Sequence, residues 1–158
     1  MGFQTSVNQQ PAPAVEGDFA SANPRASVLP SDGVSVADSS GVTVGRFAWL
    51  ANGLVNNAGS GVPSGFVHRD HQALNFSLLS DSTMVIPQGY AVTLHNQGDF
   101  WARTTTIATV GQKVFASNTT GQIATGAAGA TIAGFTETKW SVASAAAANE
   151  LIKISSWV

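Results

Sequence analysis

Apolar and polar positions alternate along much of this chain with a period of two. Val42-Thr43-Val44-Gly45-Arg46-Phe47-Ala48-Trp49-Leu50 opens with a β-branched alternation, and Tyr90-Ala91-Val92-Thr93-Leu94-His95 repeats the period. Strands that bury one face read this way. Asp99 to Thr106, Val110 to Ser117, Ala130 to Val142 and Leu151 to Val158 are strand-like as well. Gly89, Gly98, Gly111, Gly121 and Gly134 follow one another at intervals of 9, 13, 10 and 13 residues, the turn rhythm of a sandwich or barrel. One run favours a helix, Ala143 to Glu150 with its four consecutive alanines. Two turns are marginal alone, so a loop or helical turn between the last two strands is expected. Asn52 to Gly65 is dense in turn formers and is expected to be a surface loop, a segment suited to partner contacts.

The first 40 residues break this pattern. Pro11, Pro13, Pro24 and Pro30 are four of the six prolines, and each removes a backbone donor and fixes φ, so Gln9 to Pro30 can form neither a regular helix nor a central strand. The stretch reads as an extended arm, residues 1–40, followed by a β domain, residues 41–158. Phe3 and Phe19 punctuate the arm, where a purely disordered linker would have little use for them. Residues 1 to about 30 are therefore expected to order on a partner.

Composition narrows the functional classes. With 7 basic and 9 acidic residues the net charge is −2, and charged residues make up 10% of the chain, which argues against the concentrated basic patch of a nucleic-acid binder. Cysteine is absent, so disulfides, thiolate chemistry and Cys-type zinc sites are excluded. The chain has 24 Ala, 31 Ser plus Thr and 16 Gly. A surface this neutral, hydroxyl-rich and low in side-chain entropy suits close packing against other protein. No apolar run approaches the roughly 18 residues of a membrane helix, and Met1 to Gln10 lack the basic and apolar regions of a secretory signal. Synthesis in the cytoplasm, with no membrane partner, is expected.

The densest ionisable cluster is His68-Arg69-Asp70-His71. It contains the tripeptide of the kinase catalytic loop, but the glycine-rich loop and the Mg-binding asparagine of that family are missing. His68 and His71 at i, i+3 have no third metal ligand at a recognisable spacing. No Gly-x-Ser-x-Gly elbow frames a nucleophile, although His95 beside Asn96 leaves a triad open. Neither an enzyme, a metal site nor a cofactor is expected. Trp49, Trp101, Trp140 and Trp157 could stack bases or sugars, and since tryptophan stacking needs no charge, a carbohydrate-binding module with Trp49 or Trp101 as platform is the alternative reading.

Gln10 to Ser21 (QPAPAVEGDFAS), continuing through Asn23-Pro24-Arg25, resembles the start of the structural cement proteins of tailed bacteriophages. Gly41 to Trp49, Gly65-Phe66-Val67-His68-Arg69, Gly98-Asp99-Phe100-Trp101 and the ending from Lys139-Trp140 through Ile152-Lys153-Ile154-Ser155 resemble the same family, in the same order. The resemblance implies an all-β protein, a small β-barrel or jelly-roll-like β-sandwich with an extended Pro-rich N-terminal arm. It implies a virion protein that binds the exterior of the major capsid shell, bridges neighbouring capsomers and stabilises the DNA-filled head. The implied partners are the major capsid protein and a second copy of the chain, as a homodimer or else a trimer. Interface residues are then expected at Phe3, Pro11, Pro13, Phe19, Asn23, Pro24 and Arg25 of the arm and at Phe66, His68 and Arg69 beside the long loop. Arg25 and Arg69 would bond capsid carboxylates, in a contact driven by shape and only weakly dependent on salt.

Overall fold

The described residues of the computed structural model are 14–31, 33–70 and 83–157, and they form thirteen strands and no helix. In chain order these are β1 (Ala26–Ser27), β2 (Val36–Ala37), β3 (Val42–Thr43), β4 (Phe47–Ala51), β5 (Leu54–Asn56), β6 (Gly65–Val67), β7 (Val85–Ile86), β8 (Leu94–Gln97), β9 (Asp99–Arg103), β10 (Lys113–Ser117), β11 (Ile123–Gly126), β12 (Phe135–Val142) and β13 (Leu151–Ser155). A six-stranded sheet runs β1-β8-β6-β4-β5-β2, a five-stranded sheet runs β11-β10-β12-β13-β9, and β3 pairs with β7 in a ribbon. The architecture is an all-β sandwich. Of the two shapes expected it is the sandwich that forms, and no barrel closes among the described residues.

Alternation on the central strands buries both faces of the six-stranded sheet. In β4 Phe47 points to one side and Ala48 to the other, and the antiparallel register carries that choice across the neighbours. Phe47 lies opposite Phe66, and Phe66 opposite His95. With Phe100, Ala102, Val114, Ala116, Ile123, Trp140, Val142, Ile152 and Ile154 the two phenylalanines form the core between the sheets. On the opposite face Ala48, Val55, Val67 and Leu94 pack with Val42, Val44 and Ile86 beneath the β3–β7 ribbon. Each fully buried large side chain contributes about 1.5–3 kcal/mol.

The expected turns form, since Gly89, Gly98, Gly111, Gly121 and Gly134 all have positive φ. Two expectations change, and at residues 143–150, where a loop or helical turn was expected, it is the loop that forms. The long run from Val42 to Leu50 is split into β3 and β4 by a turn at Val44–Arg46. Asn52 to Gly65 is not one loop: Asn52 (φ 52°) and Gly53 (φ 75°) close a tight hairpin between β4 and β5, and Asn-Gly is the dipeptide that tolerates left-handed backbone at both central positions. Residues 143–150 form an irregular loop joining β12 to β13, held by an Ala108–Ala146 bridge instead of helical bonds.

The end strands β11 and β2 have backbone partners beyond their named neighbours. Beyond β9 the chain runs on past β11: Thr104 bridges Ile123, Thr105 N–H donates to Ile123 O at 2.7 Å, and Thr125 N–H donates to Thr106 Oγ1 at 2.9 Å. On the other sheet Val36 of β2 bridges Ala91, just ahead of β8. The two-residue strands β1 and β2 occupy the ends of the six-stranded sheet, and β1, between Pro24 and Pro30, is confined to an edge by those prolines.

Candidate interaction surface along the N-terminal strap

Residues 14–27 do not wait for a partner. They cross the molecule as a strap from the five-stranded to the six-stranded sheet, which corrects the expectation that this part of the arm orders only on binding. A turn starts it: Asp18 N–H donates to Val15 O at 3.1 Å and Val15 N–H to Asp18 Oδ2 at 3.2 Å. The strap then pairs with β9 as an added strand. Gly17 N–H donates to Trp101 O, Trp101 N–H to Asp18 O and Ala20 N–H to Asp99 O, at 2.8, 2.9 and 2.9 Å. After Pro24 it reaches β8, where Ala26 lies opposite Gln97 and Ser27 opposite His95. Gly17 and Gly45 allow this approach, because a Cβ on Gly45 would come within 2.8 Å of Glu16 Cβ and one on Gly17 within 3.0 Å of Arg69 Cβ.

Phe19 is the anchor. Its ring centroid is 4.0 Å from that of His68, 5.3 Å from Phe100 and 5.7 Å from His95, and the Arg25 guanidinium carbon stands 3.9 Å from it. That geometry combines apolar burial with a cation–π contact. His68 Nδ1 lies 2.9 Å from Gly17 O, which also accepts from Arg69 N–H at 3.0 Å. The carbonyl assigns Nδ1 the proton. His95 is buried, and burial first, with His68 and Arg25 nearby second, pushes its pKa down from 6.5 to about 4. It is neutral at pH 7.

Acidic side chains of the strap meet arginines of the body. Asp18 pairs with Arg69 at 2.9 Å, and Glu16 pairs with Arg103. Asp99 on β9 accepts from Ser21 Oγ and Asn23 Nδ2, both at 2.6 Å. Burial would raise its pKa, but hydrogen bonds from Ser155, Ser21 and Asn23 outweigh it and hold the carboxyl below its ordinary value. Arg25, Arg46, Arg69 and Arg103, all four arginines of the chain, thus sit on the strap or beside it.

Of the residues expected at an interface, Phe19, Arg25, His68 and Arg69 converge here. Asn23 and Pro24 lie exposed on the same strap. Phe66 does not reach the surface: it is fully buried under Phe100, 5.0 Å between centroids. Arg69 is engaged by Asp18 and Arg25 covers Phe19, so in this chain both serve the strap. Phe3, Pro11 and Pro13 lie outside the described residues, as does His71. Sequence reading missed Glu16, Asp18, His95, Asp99 and Arg103. For Asp99 and Arg103 a signal was present as an alternation in Asp99-Phe100-Trp101-Ala102-Arg103, whose even positions are core; Glu16, Asp18 and His95 had none.

Trp49 and Trp101, the two expected sugar platforms, each have a neighbour beside the ring, whereas Trp157 is half exposed. Gly59 lies against the Trp49 indole, where a Cβ would come within 2.3 Å of Cγ, and Trp49 Nε1–H donates to Gly61 O at 3.2 Å. Lys153 Nζ stands 5.1 Å from the Trp101 ring. Trp140 is core. Among the described residues no three His, Asp or Glu side chains gather as a metal site, and no helix is long and apolar enough to cross a membrane.

The chain matches the family described as XM1 gp53 minor capsid protein over residues 3–156. Its fold is similar to that of a chain in the solved structure "The capsid of Myoviridae Phage XM1", with a TM-score of 0.71 and 18% identity over 99% of this chain and 98% of that one. No curated protein matches it.

Proposed function

The chain belongs to the XM1 gp53 minor capsid protein family, which makes it a capsid-associated phage virion protein, and on that premise we propose that it is a non-enzymatic cement on the outer surface of the head. It binds the major capsid protein, bridges neighbouring capsomers and stabilises the shell around its DNA. The observation that carries this reading is the strap. Residues 14–27 are locked to both sheets, so whatever precedes residue 14 leaves the body from a fixed point. Eleven residues separate Phe3 from residue 14 and can extend about 38 Å at roughly 3.3–3.6 Å each, enough for Phe3 to engage a capsomer beside the one under the β domain, while Pro11 and Pro13 engage close to the strap's root. A homodimer across a two-fold contact doubles each weak site, and linking two sites raises affinity by about 10²–10⁴ where both can engage. A trimer would do the same with three.

The test is reconstitution. Heads lacking the protein are incubated with the full chain or with a chain lacking residues 1–13, then analysed by denaturing gel and by the temperature of DNA release. The full chain should co-sediment with heads and raise that temperature. The truncated chain, which keeps Phe19 and every described strap contact, should stay folded and protect less. Equal protection by both chains would sink the arm mechanism, and no binding by the full chain would sink the cement reading.

A further inference from the structure

Two arginines lack a carboxylate partner among the described residues: Arg25, which stands over the Phe19 ring, and Arg46. Arg46 Nη1 donates one long bond, 3.3 Å to Thr120 O, out of the five N–H donors a guanidinium carries. Among the described residues no ion pair involves it. It opens onto a cleft of about 120 Å³ lined by Glu16, Gly45, Arg46, Arg103, Thr105, Gln122 and Asn149. Arg103 is tied from the far side, to Glu16 and, through Nη1, to Asn149 O at 2.6 Å. Two guanidinium groups against one carboxylate leave the cleft with a charge of +1, in a chain whose net charge is −2.

We infer that the cleft between Arg46 and Arg103 receives the carboxylate of an aspartate or glutamate side chain on a neighbouring capsid protein. The inference rests on the cement reading and names one of its contacts. Size limits the occupant, because small-molecule pockets run from about 300 to 1,000 Å³ and this one holds the tip of a side chain. Charge excludes a lysine or arginine. Planar N–H forks match the two oxygens of a carboxylate, with amide groups of Gln122 and Asn149 at the rim. The cleft also adjoins the root of the strap, since Gly45 and Glu16 are in contact there, so the carboxylate would dock next to the point from which the arm departs. One ionic anchor in a contact otherwise poor in charge leaves the association only weakly salt-dependent overall.

Heads lacking the protein are titrated with wild type, Arg46→Gln, Arg46→Lys and, as a remote charge control, Lys139→Gln, at low and high salt. Wild type and Lys139→Gln should bind alike. Arg46→Gln should bind about tenfold or more weakly at low salt and with a flatter salt dependence, and Arg46→Lys, which keeps the charge and loses the fork, should fall between. If Arg46→Gln binds as wild type does, or Lys139→Gln loses as much, the inference is overturned while the cement reading stands. If wild type itself does not bind, the cement reading falls and takes this with it. Should Arg46→Gln fail to fold, Arg46→Lys decides alone, and an affinity equal to wild type overturns the cleft as an anchor.

Discussion

The two faces of the six-stranded sheet are packed on different principles. Beneath the β3–β7 ribbon the core is aliphatic and assembled from residues between Ala37 and Leu94. Facing the other sheet, the core is aromatic: the Phe66 and Trp140 rings lie about 5–6.3 Å from each other and from those of Phe47 and Phe100. At its rim Phe19, His68 and His95 join it, and with them the arginines and carboxylates of the strap. The aliphatic face depends on shape alone. The aromatic face depends in addition on a segment from the N-terminus and on one imidazole remaining neutral, so it is the face that conditions can alter.

Neighbouring residues of β6 give the largest test of that contrast, because Phe66 and Val67 are both fully buried and point to opposite faces. Phe66→Ala should cost about 3–5 kcal/mol, and Val67→Ala no more than about 1.5–3 kcal/mol, in denaturant unfolding at neutral pH. A larger loss for Val67→Ala would reverse the assignment of the dominant core. Acid provides the next. The unfolded chain protonates His95 near 6.5 and the folded chain only near 4, so between those values the unfolded state binds more protons and stability falls as the pH drops. The full window is worth about 3 kcal/mol. Asp99, held below its ordinary range, adds to the loss at lower pH still. His95→Gln should flatten the fall between pH 6.5 and 4, read as stability against pH, and an unchanged slope would remove His95 as its cause.

The smallest effect concerns one of the strap's two ion pairs, Arg69–Asp18. Arg69 and Asp18 have side chains 20% and 30% exposed, and such pairs are worth at most about 1 kcal/mol. Arg69→Met should therefore lower global stability little while hydrogen exchange quickens at Gly17 and Trp101, whose amides bind the strap to β9. Exchange that quickens equally in β4 and β6 would mean that the strap does not open independently of the sandwich.

Much of this molecule was legible in local pattern. The strand-like runs from Asp99 onward found β9, β10, β12 and β13 within about five residues, the spaced glycines marked turns that the backbone makes, and the period-two run from Tyr90 to His95 overlaps β8 only at Leu94 and His95. Asn52-Gly53 was legible too, as a hairpin signal hidden in a segment rich in other turn formers. What local pattern could not carry was pairing at a distance. Nothing near Phe19 says that it will bridge Phe100, and Glu16 meets Arg103 only because both sheets already exist to be joined. His68 and His95 meet for the same reason. Proline content excluded regular structure across residues 9–30 but did not exclude a strand on the edge of another sheet, and the strap is that case.

The covering of the strand edges reaches beyond the single molecule. An uncovered row of amides is a template for another chain, and strand upon strand of that kind builds fibres. A capsid brings its components to high local concentration, where such templating would be most damaging. Here Thr104, Thr105 and Thr106 shield β11, two of them bonding it through backbone amide or hydroxyl, and residues 17–20 shield β9. The cross-β route to aggregation is thus closed at those two edges by the fold itself.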